Sequence, residues 1–594
     1  MYRVENNEIV ISGFEKGISD DPYNGLFDMR GVNTISVPGE ASVSFSQTNI
    51  APLPVTFTIT SISSNKITPN VTSGTLTNFV AGQFTNSGGA LPTGISGGTT
   101  YWLKNEGGGE WSVWVDPYWI TQQPISGGSG TNTFTSINMG QIRYFDRIFG
   151  YCVDVNGRAW SPLSPATIQA QGIGYTFMNN TITNGFGNGI CVYKGTGSTK
   201  YLFIFRSGQV DYTPIADTLG IFSSTGTTES PIAPAWVSGW NPATGGTTGG
   251  QTLNTAIGTN NPHEALVDVN NVMFFTDASY VGSLREKPGS TFDPTTPSTY
   301  EWNITALALP KNDISQCLEQ LGDKLLIGGL YNYIYSWNKF STGFDFMQIT
   351  EKGAIRIITV NTNAYIFAGK RGRIFKTNGS QAELYKKVPD HILGIDPIFT
   401  FYGVAYNKNQ LYFGVSATTN AGATSTSYMG VWAIDTDTNA MRIPALMSTN
   451  SATCVSVFTL PSSTTGFSIY TAWATDTTYG IDKSDSTPYT SYTGYIDTDV
   501  IPIGQFLNKK TFNNFEFKLS APLVSGEGIK ISWRSNLSDG YTLLGETTTT
   551  GVLSDSYTPN FQSVQWIQFR IEQKSTNSNP SFTRLTEMRL RVNL

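Results

Sequence analysis

The chain has 594 residues, a formal net charge of −6 and only 13% charged residues, about half the usual charged share. Its 61 glycines and 13% aromatics, with abundant Ser, Thr and Asn, disfavour helices and suit short strands joined by tight turns. Recurrent aromatic and β-branched residues exclude a disordered chain. The lack of any apolar run of about 18 residues excludes a helical membrane span, and the lack of a large basic patch excludes sequence-specific nucleic-acid binding.

The opening "MYRVENNEIVISGFEKG" lacks the basic segment and apolar run of a signal peptide. Residues 52–138 are bracketed by "APLPV" and Gly/Ser runs, as linkers bracket an insertion, and are expected to form an inserted small β-module. From 139 to 495 a hairpin pattern returns seven times: 146–165, 189–208, 271–286, 323–338, 363–379, 409–439 and 467–485. Each copy pairs two strand-like runs across a Gly, Asn or Asp turn. A single hairpin cannot bury its own apolar face, so copies must stack, and closing the stack into a ring removes the end copies. The pattern predicts a β-propeller of six or seven blades. The Gly/Thr/Pro/Ser-rich stretch 209–262 reads as an extended surface loop. Within the fifth copy "AGKRGRIFKTNG" is the densest cationic stretch, read as a solvated hairpin. Residues 496–594 alternate strictly, as in "FNNFEFKLSAPL" and "VQWIQFRIEQ", and predict a C-terminal antiparallel β-sandwich. The fold class is all-β.

Signals for catalysis are weak. Cys152, Cys191, Cys317 and Cys454 are widely spaced, three of them within apolar runs, and read as buried free thiols. His263 and His391 occupy turn-like contexts without a nucleophile motif. The acid pairs Asp20/Asp21, Asp435/Asp437 and Asp482/Asp485 sit beside turn residues, where Asp serves local backbone hydrogen bonding. "DTDTN" at 435–439 lacks the Gly and Glu that a calcium loop needs. No catalytic residue, metal site or cofactor is therefore assigned.

One cluster stands out. "YWLKNEGGGEWSVWVDPYWI" places Tyr101, Trp102, Trp111, Trp114, Tyr118 and Trp119 within the inserted module. The odd spacing of Trp111 and Trp114 on a strand sends them to opposite faces. The six are candidates for contact with a glycan or a protein; the competing reading is that a small module needs large side chains for its core.

Three stretches resemble tail proteins of tailed bacteriophages built on β-propellers. The run "GFEKGISDDPYNGLFDMRGVNTISVPGEASVSF" is similar to their opening, in which a lead segment with a "PG" turn feeds the first blade. The unit 52–138, with "LPTGISGGTTYWL" followed by "GTNTF", is similar to a small module of phage tail and fibre proteins. "APLVSGEGIKISWRSNLSDGYTLL" looks like the sandwich that follows such propellers. The resemblance implies a lead segment and first propeller strand over 1–51. It also implies a non-enzymatic structural component of the virion tail, nozzle-like or at the tail tip, forming a rigid ring or attachment platform around the DNA exit path. Implied partners are further copies of the chain in a homo-oligomeric ring and other tail proteins (adaptor or fibre), with assembly in the host cytoplasm. The alternatives are a receptor-binding protein attaching to host surface glycans and a glycan-degrading propeller enzyme.

Overall fold

A computed structural model describes residues 2–593 except 6–7, 13, 17, 19–25, 27, 31, 34–40, 148, 164–173, 179–186, 207, 216–233, 247–261, 311–312, 340, 370, 390–396, 408, 418–429, 450–451, 463–465, 504–510, 560, 562–563 and 577–583. Among the described residues there are β-strands and two short 3-10 turns, and no α-helix.

Seven antiparallel sheets follow one another in a ring. Blade 1 runs Ile142–Phe145, Cys152–Asp154, Ala159–Pro162 and Tyr175–Phe177. Blade 2 has Gly187–Tyr193, Lys200–Arg206 and Gln209–Ile215. Blade 3 has Ala265–Val267, Val272–Asp277, Tyr280–Glu286 and Tyr300–Ala308, and blade 4 has Ser315–Leu321, Lys324–Gly329, Tyr333–Trp337 and Asp345–Gln348. Blade 5 comprises Ala354–Val360, Asn363–Ala368, Arg373–Thr377 and Ala382–Lys387, and blade 6 Pro397–Asn407, Gln410–Ala417, Gly430–Asp435 and Met441–Ala445. Blade 7 takes Thr453–Ser462, Gly466–Ala474 and Tyr479–Pro488 from the end of the propeller segment and its fourth strand, Phe45–Asn49, from near the N-terminus. The first strand of each blade lies beside the first strand of the next, and Ile142–Phe145 lies beside Thr453–Ser462, so the circle closes.

The protein is thus a seven-bladed β-propeller with two added β-units, and each hairpin copy read from the sequence supplies two adjacent strands of one blade. Every seam between blades holds its own apolar cluster. Leu202 and Ile204 fill the seam of blades 1 and 2, Phe205 and Phe275 that of 2 and 3, Leu318 and Ile327 that of 3 and 4, and Leu326 and Ile366 that of 4 and 5. Middle strands such as "KLLIGG" are buried on both faces, which is why they read as near-continuous apolar runs instead of alternating ones. Each fully buried Leu, Ile or Phe contributes about 1.5–3 kcal/mol. Exposing one seam would therefore exceed the usual stability margin of a domain, about 5–15 kcal/mol.

The 209–262 stretch departs from the expected surface loop. Gln209–Ile215 is a blade strand, Val237 bridges to Tyr212, and Trp240 is fully buried with its indole N–H donated to the Pro294 carbonyl at 2.8 Å. A buried Trp inside a Gly/Thr-rich stretch gives no periodic signal. The parts 216–233 and 247–261 lie outside the described residues.

The sandwich packs two five-stranded layers. One orders Tyr2–Glu5, Glu8–Ile11, Leu585–Asn593, Thr511–Leu519 and Ser554–Tyr557; the other orders Asp28–Arg30, Gly494–Asp497, Trp566–Lys574, Gly528–Arg534 and Thr542–Thr547. Alternating residues Phe515, Phe517, Ile529, Ile531, Phe569 and Ile571 meet between them. Three strands thus come from residues 2–30, a stretch expected to lead into the propeller. Asp28–Arg30 also pairs with blade 6 through Arg30 and Ile443, so blade and sandwich share one continuous sheet.

The insertion is a closed six-stranded barrel (Thr56–Ser63, Lys66–Ser73, Ala81–Ser87, Thr100–Gly107, Glu110–Trp114, Thr131–Ser136). Closure leaves no free strand edge on a unit too small for a two-layer core. Phe57 and Phe134 stack at its centre, 4.9 Å apart. It lies between the ring-closing strand Phe45–Asn49 and blade 1.

Blades 6 and 7 approach closely at Gly403, where a Cβ would stand 1.9 Å from the Val457 backbone nitrogen. Gly403→Ala should destabilise the fold by about 1–3 kcal/mol, seen as a lower calorimetric midpoint. Gly540→Ala, with open space around its Cβ position, should leave the midpoint unchanged.

Candidate functional site

The structure divides the six aromatic candidates between the barrel core and the barrel's side toward blade 1. Adjacent residues on a strand point to opposite sides, so Tyr101 and Trp111 enter the barrel core with Leu103 and Val113, while Trp102 leaves it toward blade 1. Trp102 is fully buried there, and its indole N–H donates to the Phe177 carbonyl at 3.1 Å. Trp114 stands opposite Trp102 in the ladder and is half-buried. Tyr118 donates its hydroxyl to Ser161 Oγ of blade 1 at 3.1 Å, and Thr176 Oγ1 donates to the Phe79 carbonyl at 3.1 Å.

Trp119 lies flat on Phe79, centroids 3.8 Å apart and planes 8° from parallel. Both have left-handed backbone, φ 59° and 64°, a conformation costly for bulky residues, about 1–3 kcal/mol each. The buried Asp116 carboxylate holds the Trp119 loop by accepting from the backbone N–H groups of Tyr118, Ile120 and Thr121. The Lys104 ammonium lies 5.6 Å from the rings of both Trp114 and Trp119. Phe79 thus covers one face of the Trp119 ring and Lys104 borders Trp114 and Trp119, while Trp102, Tyr118 and Phe79 tie the barrel to blade 1.

A second constellation lies at the propeller axis, among residues far apart in sequence. Arg147 follows the first strand of blade 1, Glu264 precedes that of blade 3, and Glu319 and Arg356 lie on those of blades 4 and 5. Arg147 donates to Glu319 at 2.6 Å, to Glu264 and to the Leu318 carbonyl. Arg356 pairs with the same Glu264 carboxylate, so one carboxylate joins two guanidinium groups. Beside them Arg143 donates to Asn188 at 2.9 Å. Burial raises the Glu319 carboxyl against the opposing effect of Arg147. Burial, then the charge of Arg147, holds Arg356 well below its ordinary pKa. A glycosidase needs one carboxyl free to give a proton and another free to attack or activate water; here Glu264 and Glu319 are both tied to arginine. The chemistry of the arrangement is a bolt across the axis. Sequence reasoning missed it, because only a charged residue inside an apolar run ("SQCLEQL", "AIRIITV") marks it.

The sequence-derived acids take structural places. Asp435 caps its own turn, accepting from the N–H groups of Asp437 and Thr438. Asp482 lies within a strand, not a turn, and binds Ser448 and the Trp473 indole N–H. Asp20, Asp21 and His391 lie outside the described residues. All four cysteines are buried and free, and burial pushes the thiols of Cys317 and Cys454 up to about 12. Among the described residues, no group of three or more His, Cys, Asp and Glu could hold a metal ion, and no helix is long and apolar enough to cross a membrane.

His263 is buried, its Nδ1 2.9 Å from the Thr276 carbonyl and 3.9 Å from Asp277. Burial lowers it to about 4 and raises Asp277 to about 7; Asp277 Oδ2 has no partner among the described residues.

No protein-family model and no curated protein sequence matches the chain. Among solved structures it is similar to the β-propeller domain of Cps50 (Swd1) from Myceliophteria thermophila, with 11% identity over 59% of this chain and 98% of that one, TM-score 0.36. It is similar to YCF48 bound to D1 peptide, with 9% identity over 58% and 92%, TM-score 0.34. An exo-beta-1,3-galactanase from Phanerochaete chrysosporium aligns at 13% identity over 69% and 96%, TM-score 0.26. Such likeness transfers no residue, activity or partner to this chain.

Two outcomes follow from the buried charges. Glu264→Gln leaves Arg147 and Arg356 facing each other without their shared carboxylate and should cost about 3 kcal/mol or more in urea unfolding. Glu301→Gln, at an exposed pair with Arg285, should cost less than about 1 kcal/mol. The unfolded chain ionises Asp277 near pH 4 and the folded chain near 7, so this group weakens the fold as pH rises from 4 to 7. His263 acts oppositely, weakening the fold as pH falls from 6.5 toward 4. Asp277→Asn should therefore stabilise by an amount that grows between pH 4 and 7 and levels off on the order of 4 kcal/mol, read from urea unfolding at pH 5 and pH 8.

Proposed function

We infer that this chain is a non-enzymatic structural part of a tailed-phage virion, a nozzle-like or tail-tip component whose β-rich body serves as a rigid attachment platform. The observation that carries the mechanical half of this reading is the sharing of cores. The sandwich and blades 5 and 6 have one continuous apolar cluster, and the barrel shares another with blades 1 and 7. Domains joined through common cores do not rotate as domains joined by linkers do, and a body that transmits force needs that stiffness. The placement in a tail rests on the resemblance of the N-terminal run, the inserted module and the sandwich to phage tail proteins. The engaged acids at the axis favour this reading over glycan hydrolysis. Arg147, Glu264, Glu319 and Arg356 pair across the axis between blades 1, 3, 4 and 5, which favours a DNA path between copies over one through a single propeller.

Imaging of intact particles tests the placement: density for this fold around the tail axis is expected, whereas a peripheral spike would favour the receptor-binding alternative. Purified chain incubated with host capsule or lipopolysaccharide should release no oligosaccharide; release would overturn the non-enzymatic reading.

A further inference from the structure

The second and third strands of blade 3, Val272–Asp277 and Tyr280–Glu286, are joined by two residues, Ala278 and Ser279, with Asp277 opposite Tyr280. Two-residue turns need left-handed backbone, which Gly and Asn adopt most cheaply. Ala278 adopts it, with φ 49°, and is buried. Blade 4 holds it in place. Ser315, the first residue of Ser315–Leu321, donates its N–H at 2.6 Å and its hydroxyl at 2.7 Å to the Ala278 carbonyl. The turn is thus a polar fastening between blades 3 and 4, separate from the apolar contacts of Leu318 and Ile327.

The residue before this turn is a buried acid without a donor for one of its oxygens. Asp277 is 1% exposed, and its Oδ2 has no partner among the described residues. The charged and titratable groups nearby are committed elsewhere. His263 stands 3.9 Å away, beyond hydrogen-bond reach, and its Nδ1 lies 2.9 Å from the Thr276 carbonyl. Glu264 pairs with Arg147 and Arg356. Arg143 of blade 1 donates to Asn188 of blade 2, and its charge acts on His263. On the blade 4 side, Asp313 accepts from the Tyr335 hydroxyl at 2.6 Å. Ionisation of Asp277 would therefore leave a buried charge with no cation paired to it, a state that proteins escape by staying protonated or by moving the group to water.

We propose that Asp277 is a proton-operated latch on the fastening between blades 3 and 4. With the carboxyl protonated, the turn stays seated and Ser315 keeps both its bonds to Ala278. When the proton leaves to solvent, the carboxylate turns outward to water, the strained Ala278 relaxes, and Ser315 is released. His263 stays behind, since its backbone N–H donates to the Asn188 carbonyl of blade 2 at 2.8 Å. The sign follows from linkage. Burial raises the seated carboxyl to about 7, whereas in the open turn it titrates near pH 4. Opening therefore becomes easier as pH rises from 4 to 7 and levels off above 7. The latch is a property of the propeller alone and does not rest on the tail reading.

The test is amide hydrogen exchange of the full-length chain from pH 5 to pH 8, with each rate divided by its intrinsic rate at that pH. The opening constant of the Ser315 amide should rise about fiftyfold between pH 5 and 7 and less than about twofold from 7 to 8. Amides of blade 6 should show no such rise. Asp277→Asn should make the Ser315 profile flat, and Ser315→Ala should raise opening of the turn, followed at the Tyr280 amide, at every pH while keeping the slope. A flat wild-type profile overturns the proposal, whether or not the variants fold. So does a rise shared by blade 6, which would assign Asp277 to the stability of the whole ring, and so does a rise that persists in Asp277→Asn. None of these outcomes bears on the tail placement, which particle imaging decides.

Discussion

Ring closure is the constraint on which the rest of the structure depends. Phe45–Asn49 hydrogen-bonds to Tyr479–Pro488, so a segment near the start of the chain completes the last blade. A stack of seven hairpins would otherwise end in two exposed apolar faces, and each seam is worth more than a typical domain's whole margin. With the ring closed, each blade is clamped on both sides, and local opening requires breaking two seams at once.

The placement of the two added units follows from that closure. The chain must leave the sandwich to reach blade 7 and then cross to blade 1, and the barrel is inserted on that crossing. The sandwich docks at blade 6 through Asp28–Arg30, and the barrel docks at blade 1 through Trp102, Tyr118 and Phe79. The strained backbone of Phe79 and Trp119 persists because stacking and docking over-determine it. The axial residues Arg147, Glu264, Glu319 and Arg356 tie blades 1, 3, 4 and 5 together from the centre, adding a polar bolt to the apolar seams.

Two of the acidic groups whose pKa burial raises, Glu319 and Asp277, make different contributions. Glu319 faces Arg147 and remains part of an ion pair, whereas Asp277 has only burial and a distant His263. The first is a fastening; the second is a cost that the surrounding blade carries. Burial alone does not make a carboxyl reactive; it needs an open approach and a partner task.

The sequence by itself determined the all-β class, the repeat of hairpins and the alternating strands of the sandwich, because those signals are local: turn residues and the periods of apolar side chains. It also marked the aromatic cluster of the barrel, and the odd spacing of Trp111 and Trp114 correctly placed them on opposite faces. Only the tertiary structure decided that the count is seven and that Phe45–Asn49 closes the ring. It alone placed residues 2–30 in the sandwich, turned Trp102 and Trp119 into a seam and brought Glu264 between Arg147 and Arg356. Each of these depends on residues brought together across tens to hundreds of positions, and no local period of side chains records such a meeting.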